Sequence, residues 1–396
     1  GNILKPNIYS EIDKLKSVIV HRPGEELNNL TPDFMEELLF DELPYLENAI
    51  KEHDFFCETM RNEGIEVLYL EDLAAESIKQ DDVRKQFIED FLEESGNKSA
   101  DEINLLRDLL TNISDEKELI LKTMAGVRLD EIGINDESGR LLAVNPMPNL
   151  YFTRDPFSFV GNCVSINRMW SETRNRETLY AKYIFTYNSR FNDIEKIYDR
   201  TEDTSIEGGD ILILNSECVA VGISQRTQKE SVDKFAKNLL EKSDFKFVLS
   251  FKIPNKREFM HLDTVFTMID KGIFTVHPLI EGPLYVEKLY LEDNTLQREV
   301  QKGSLEEILS SNLHVDNVKI IRCGGTNPID QMREQWNDGS NTLAIAPNTV
   351  IVYDRNNVTN SLLQEADVNI RTIKSGELSR GRGGPRCMSM PFEREM

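Results

Sequence analysis

The sequence predicts an α/β fold in which five strand–helix–strand units form a radial array about an axis, with a helical segment inserted after the first unit. Three observations predict it. Short β-branched runs alternate with amphipathic helical stretches five times along the chain. One segment, about 73–131, departs from that texture and carries apolar residues at helical spacing with no strand signal. The residues with the richest chemistry fall in glycine- and proline-shaped loops far apart in sequence, which is where a radial array would bring loop ends together. The units are not alike in sequence, so an ordinary α/β sheet is the alternative.

The first unit is expected from a strand over 18–20, a helix over 52–61 and a closing strand over 65–70. The second has a strand at 163–166, a helix at 177–184 and a closing strand near Ile197. The third has 218–221, a helix at 231–242 and 245–251, and the fourth 273–276, 305–310 and 318–322. The fifth runs through 349–353, 361–366 and 368–373. Each helix has an apolar stripe, and the closing strands are rich in β-branched residues. In the helical segment Val83, Phe87, Ile88, Phe91 and Leu92 recur at helical spacing. Ser99-Ala-Asp-Glu102 reads as a capping box opening a helix with Ile103, Leu106 and Leu110, and Ser114 is expected to start another. The domain expectation is therefore an α/β body from 1–72 and 140–396, interrupted by a helical domain at 73–139.

The chain has 396 residues, 39% of them apolar, enough for one large domain with an elaboration. Its formal net charge of −23 disfavours nucleic-acid or polyphosphate binding, which requires clustered Lys and Arg, and is compatible with a cationic small substrate. No run of about 18 apolar residues suggests a membrane span. Glu11, Asp13 and Lys14 stand where a secretion signal would need an apolar run. The five cysteines, Cys57, Cys163, Cys218, Cys323 and Cys387, are widely spaced without a CxxC pair. That pattern argues against a disulfide framework and for a reducing, cytoplasmic setting.

Four segments carry chemistry. Gly381-Arg-Gly-Gly-Pro-Arg-Cys387 is glycine-dense, and Arg382 and Arg386 are expected to give Cys387 a positive field that favours the thiolate. A free packing cysteine is the plainer reading. In Met260-His-Leu-Asp263 an extended backbone would turn His261 and Asp263 to one side, an imidazole beside a carboxylate, suited to acid–base work and charge binding. A buried structural histidine is the alternative. A metal there would need a third ligand, which the nearby sequence does not offer. Ser205-Ile-Glu-Gly-Gly-Asp210 sets Glu207 on a tight turn, and 145–156 is a rigid loop ending in Arg154-Asp155-Pro156. One thiol with Asp155, Glu207 and Asp263 around it does not suit peptide cleavage, which needs an oxyanion hole. It does suit a planar cation such as guanidinium, gripped by two carboxylates. Arg174, Arg226 and Arg382, in comparable loops, would hold an anionic end, and a molecule with both ends is arginine.

Taken together, these segments resemble the arginine deiminase family of the guanidine-modifying pentein superfamily. The likeness runs from Val18-Ile-Val-His-Arg-Pro-Gly24 to Arg386-Cys-Met-Ser-Met-Pro391 and includes Met147-Pro-Asn-Leu-Tyr-Phe-Thr-Arg-Asp155 and Ile206-Glu-Gly-Gly-Asp210. The resemblance implies a five-unit pseudosymmetric α/β propeller with an inserted α-helical bundle. It implies hydrolysis of free L-arginine to citrulline and ammonia, the first step of arginine catabolism, through a covalent thiouronium on Cys387. It assigns His261 as proton carrier, Glu207 as its charged partner, and Asp155 with Asp263 as the guanidinium grip. Arg174 and Arg226 would bind the substrate carboxylate, Asn149 and Phe152 would line the pocket, and Arg382 would lie in a mobile loop. Arg386 receives no specific contact. The resemblance also implies no cofactor, no metal, no nucleic acid or membrane partner, and a homo-oligomer, dimer or higher. The alternatives on the same fold are an amidinotransferase and a catalytically silent arginine-binding or adhesion protein. The chain ends nine residues after Cys387, near the family's usual end, and no functional group is expected to be missing.

Overall fold

The computed structural model describes residues 3–38, 40–191, 193–254, 261–282 and 284–396. All five expected crossovers are present. They are Leu15–Val20, Leu46–Asn62 and Glu66–Tyr69 in the first unit, and Cys163–Ile166, Leu179–Tyr187 and Glu195–Tyr198 in the second. The third has Cys218–Ile223, Lys229–Lys242 and Phe247–Lys252, and the fourth Ile273–Val276, Leu305–Leu313 and Lys319–Arg322. The fifth has Thr349–Tyr353, Asn357–Glu365 and Asn369–Ile373. In each, the two strands pair in parallel, as a helical crossover requires.

Each sheet also contains a strand absent from the sequence expectation. Met390–Arg394, Phe157–Val160, Ile211–Ile213, Phe266–Asp270 and Leu343–Ala346 each pair antiparallel with the opening strand of one unit. Five sheets thus share one pairing pattern, and the first is completed by C-terminal residues. These added strands are short and almost wholly buried, so they lack the apolar–polar alternation that marks a half-exposed strand. One further hairpin, Tyr285–Glu292 with Thr295–Gln301, extends the third sheet by pairing with Phe247–Lys252. Its two turn residues, Asp293 and Asn294, both have positive φ, the geometry of a tight two-residue hairpin.

Residues 73–131 are helical as expected, in Leu70–Ser77, Asp81–Glu93, Ala100–Thr111 and Glu116–Ala125. Ser99 Oγ accepts from the Glu102 amide at 3.2 Å, which is the expected cap. The next cap is Asp115 rather than Ser114, because it is the Asp115 carboxylate that accepts the Glu118 amide at 2.9 Å. The segment is not purely helical: Val127–Arg128 pairs with Leu142–Val144. The switch occurs at Gly126, whose φ of 85° suits glycine and whose Cβ, if present, would lie 2.7 Å from the Val144 carbonyl. These helices share one continuous apolar cluster with the second and third units. Phe87 meets Tyr183 edge to face at 5.2 Å, and Thr123 Oγ1 lies 2.8 Å from the Tyr180 hydroxyl. Among the described residues no helix is long and apolar enough to cross a membrane.

Where the first unit meets the helical segment, His21 is fully buried between Glu26 at 2.6 Å and Glu71 at 3.0 Å. Burial alone would lower its pKa, but the two carboxylates raise it to about 10. The folded-state value lies above the ordinary 6.5, so this contribution to stability is complete below pH 6.5 and is lost as pH rises through 10. His21→Gln is expected to lower stability by about 3–5 kcal/mol at pH 6.5. In thermal melts, its deficit against the parent should shrink steadily toward pH 10.

Candidate active site

The site is built from loops that hold the same place in successive units. Asp155, Glu207, Asp263 and Cys387 lie two, four, three and three residues before the added strands that begin at Phe157, Ile211, Phe266 and Met390. Eight of the ten residues singled out in the sequence line one small cavity of about 40 Å³: Asn149, Phe152, Asp155, Arg174, Arg226, His261, Arg382 and Cys387. Glu207 and Asp263, both fully buried, stand directly behind it.

Cys387 Sγ lies 3.8 Å from Asp263 Oδ2. That oxygen also accepts from Arg386 Nη1 at 2.9 Å, while Asp263 Oδ1 is buried with no hydrogen-bond partner among the described residues. His261 Nε2 is 2.7 Å from Glu207 Oε1, and its Nδ1 faces Asp155 Oδ1 at 3.9 Å. Two glycines make this contact possible. A Cβ on Gly209 would lie 2.6 Å from His261 Nδ1, and one on Gly208 1.8 Å from the Arg154 carbonyl. Burial works against an imidazolium, yet Asp155, the hydrogen bond to Glu207 and Asp210 raise His261 to about 9. Burial likewise opposes a charged Glu207, but Arg226 and His261 hold it well below the usual carboxylate range. Asp210 sits beneath this pair, accepting from Ser224 at 2.7 Å, Thr227 at 2.6 Å and the Leu262 amide at 2.8 Å. Its burial raises it to about 7.

An arrangement of thiol, imidazolium and buried carboxylates, one with an unsatisfied oxygen, can hold a cation against a nucleophile and shuttle a proton. A family profile described as arginine deiminase matches residues 36–394. The arginine deiminase of Streptococcus sanguinis (strain SK36) is 54% identical over 98% of both chains. That of Streptococcus agalactiae serotype V (strain ATCC BAA-611 / 2603 V/R) is 53% identical over the same share. The chain belongs to the arginine deiminase family. Solved structures of similar fold include an amidinotransferase from Microseira wollei, with a TM-score of 0.59, 14% identity and coverage of 99% and 98% of the two chains. Another is a dimethylarginine hydrolase from Pseudomonas aeruginosa complexed with citrulline, with a TM-score of 0.54, 13% identity and coverage of 96% and 100%. At that identity they establish the mixed α/β pentein fold alone.

Within this arginine deiminase family member, several expectations need correction. The field at Cys387 is not positive. Its thiol is pushed well above the usual range, first by burial and then by Asp263, Asp155 and Asp338. The two arginines expected to lower it are engaged elsewhere. Arg386 bonds Glu11 at 2.9 Å, Asp263 at 2.9 Å and the Ile211 carbonyl at 2.7 Å, so it has specific contacts after all. Arg382, at a positive φ of 65°, lies 3.8 Å from Asp41 and over the Trp336 ring at 4.3 Å. The segment after His261 is not extended either. Leu262–Val265 is a helical turn, and Met260 lies outside the described residues. The third ligand missing from the local sequence is supplied by the fold. Ligand atoms of Asp155, Glu207 and His261 lie within 4.8 Å of one another. Asp155 and Glu207 are nonetheless bonded to Arg174 and Arg226, both at 3.3 Å, and two guanidinium ions there disfavour a divalent cation.

Of the outer residues, Phe152 packs tilted against Tyr151 with ring centroids at 4.1 Å and takes the close approach of Gly381 and Gly383. Asn149 donates to the Leu38 carbonyl at 3.1 Å. Trp170, absent from the sequence reading, sits against Arg226 at 5.6 Å, and its amide donates to Glu207 at 2.9 Å. Glu177 also went unnoticed, although Glu177 at i+3 from Arg174 was a readable pairing. It takes two Arg174 nitrogens at 2.9 and 2.8 Å, and its burial raises its carboxyl. Arg174→Ala would leave Glu177 buried without its cation, so it should lower urea-unfolding stability by about 3–5 kcal/mol. Arg226→Ala and Arg174→Ala should each also raise KM for arginine, by a factor matching about 1.5–3 kcal/mol.

Proposed function

We propose that the protein hydrolyses free L-arginine to L-citrulline and ammonia through a thiouronium intermediate on Cys387. One observation carries the reading: a cysteine thiol 3.8 Å from a carboxylate whose other oxygen is buried without a partner among the described residues, with a His261–Glu207 pair beside it. A substrate guanidinium supplies what Asp263 Oδ1 lacks, and Asp155 takes its other edge. Its positive charge offsets the carboxylates that keep the Cys387 thiol protonated, so the nucleophile is activated by the substrate it attacks. The thiol loses its proton to solvent as the guanidinium binds, and attack of the thiolate on the guanidinium carbon gives a tetrahedral adduct. His261, charged at neutral pH, gives its proton to the departing nitrogen, and ammonia leaves. The neutral imidazole then takes a proton from water, which adds to the thiouronium carbon. Collapse breaks the C–S bond, the hydroxyl proton passes to the sulfur, and citrulline leaves with the Cys387 thiol restored. Arg226, Arg174 and Arg382 hold the substrate carboxylate, and Asn149 and Phe152 shape the pocket around the chain between the two charged ends.

The same reading takes the five sheets, with their shared pairing, as blades of a propeller about one axis, and 73–139 as a helical domain inserted into a catalytic body of 1–72 and 140–396. It includes a cytoplasmic enzyme that needs no cofactor or metal and assembles as a homo-oligomer, dimer or higher. The helix Pro328–Trp336 presents Ile329, Met332 and Trp336 to solvent, an apolar stripe that sedimentation of alanine variants would test as a contact.

Citrulline and ammonia release from L-arginine, agmatine and a peptidyl-arginine, with and without EDTA, tests the function. Release from arginine alone, unaffected by EDTA, is expected. Ornithine in place of citrulline and ammonia, formed only when an amine acceptor is added, would indicate an amidinotransferase. Arginine binding without turnover would indicate a silent binder.

A further inference from the structure

Four of the five units contribute a loop to the site from the position just before the added strand. The fifth unit has the same loop, at 338–342, between the helix Pro328–Trp336 and the strand Leu343–Ala346. Asn341 lies two residues before that strand, as Asp155 does before its own. It is fully buried and does not line the cavity. Its Oδ1 accepts the Cys387 amide at 3.0 Å, and its Nδ2 donates to the Asp263 carbonyl at 3.0 Å.

We propose that Asn341 is a positioning residue for the reaction, whose carboxamide spans the Cys387 and Asp263 segments and sets the thiol against the guanidinium-gripping carboxylate. The two ends of the amide meet opposite needs, an acceptor toward an N–H and a donor toward a C=O, from two atoms of one short side chain. The bridge is held firmly from both sides. The Cys387 loop presses on it so closely that a Cβ on Gly384 would lie 2.7 Å from Asn341 Oδ1. The 338–342 loop is fixed beneath by Thr267 Oγ1 donating to the Ser340 carbonyl at 2.6 Å and by the Asn341 amide donating to the Asp338 carbonyl at 3.0 Å. The Cys387 carbonyl accepts the Arg154 amide at 3.1 Å, so Asn341 fixes the amide side of a residue whose carbonyl side is already fixed. Without it, a buried N–H beside the nucleophile and a buried C=O behind the grip lose their partner.

The inference rests on the deiminase reading for its rate arm, while the setting of Cys387 is measurable without substrate. The experiment compares Asn341→Ala and Asn341→Asp with the parent for kcat and KM on L-arginine. It also follows the pH profile of Cys387 alkylation by iodoacetamide, located by mass spectrometry. For Asn341→Ala, kcat should fall on the order of 100-fold with KM changed by less than about threefold, since a displacement near 1 Å is enough for that loss. Its alkylation profile should differ from the parent's. Asn341→Asp keeps the acceptor but places another carboxylate near the thiol, so its profile should move to higher pH. A parental kcat in either variant overturns the inference, and so does a lost rate with a parental alkylation profile. If Asn341→Ala fails to fold, the isosteric Asn341→Asp decides on the same readouts. If the parent does not turn over arginine, the deiminase reading fails and the alkylation profiles alone decide the role of Asn341.

Discussion

Cys387→Ala is expected to abolish citrulline release, by on the order of 10⁴-fold or more, while arginine still binds. On the proposed mechanism the variant lacks the covalent route altogether, whereas the groups proposed to bind arginine are other side chains: Asp155, Asp263, Arg226 and their neighbours. Steady-state assay with isothermal titration calorimetry checks both halves. Residual turnover near the parental rate would remove Cys387 from the mechanism.

Asp263→Asn should do two opposite things. It removes one charged grip on the guanidinium, so kcat/KM should fall about 100-fold. It also removes, after burial itself, the foremost cause that raises the Cys387 thiol. The thiol pKa must therefore drop, and iodoacetamide should alkylate Cys387 faster at pH 7.5 in the variant than in the parent, although the variant is the poorer enzyme. Slower or unchanged alkylation would show that Asp263 does not govern the thiol. The comparison is informative because loss of catalysis and gain of thiolate are separated: an enzyme activated by its substrate keeps the nucleophile silent until a cation arrives.

Much of this was legible in the sequence. The five crossovers stood out because each opening strand is followed by a helix with a clean apolar stripe, as in Lys229–Lys242 with Val232, Phe235, Ala236, Leu239 and Leu240 buried. The added strands did not stand out, because runs such as Ile211–Ile213 are buried on both faces and continuous with loops. The site loops were legible through residue type, since glycine pairs and prolines mark backbone held for a purpose, as at Gly208 against the Arg154 carbonyl and Gly209 against His261. What the sequence concealed was the sign of the electrostatics. Arg386 precedes Cys387 and looks like an activator, yet its guanidinium is spent on Glu11, 375 residues away, and on Asp263. The same limit hid the role of the fifth unit, because an asparagine carries no signal until its two partners are known.

The central claim is that the guanidinium carbon becomes covalently attached to Cys387. Acid-quenching the enzyme during turnover of L-arginine, followed by intact-mass and peptide mass spectrometry, tests it directly. The account predicts an adduct with the mass of arginine less ammonia, located on the Cys387 peptide and absent from Cys387→Ala. Steady citrulline release with no adduct on that peptide, even at the earliest quench times and with excess substrate, would contradict it and point to direct attack by water.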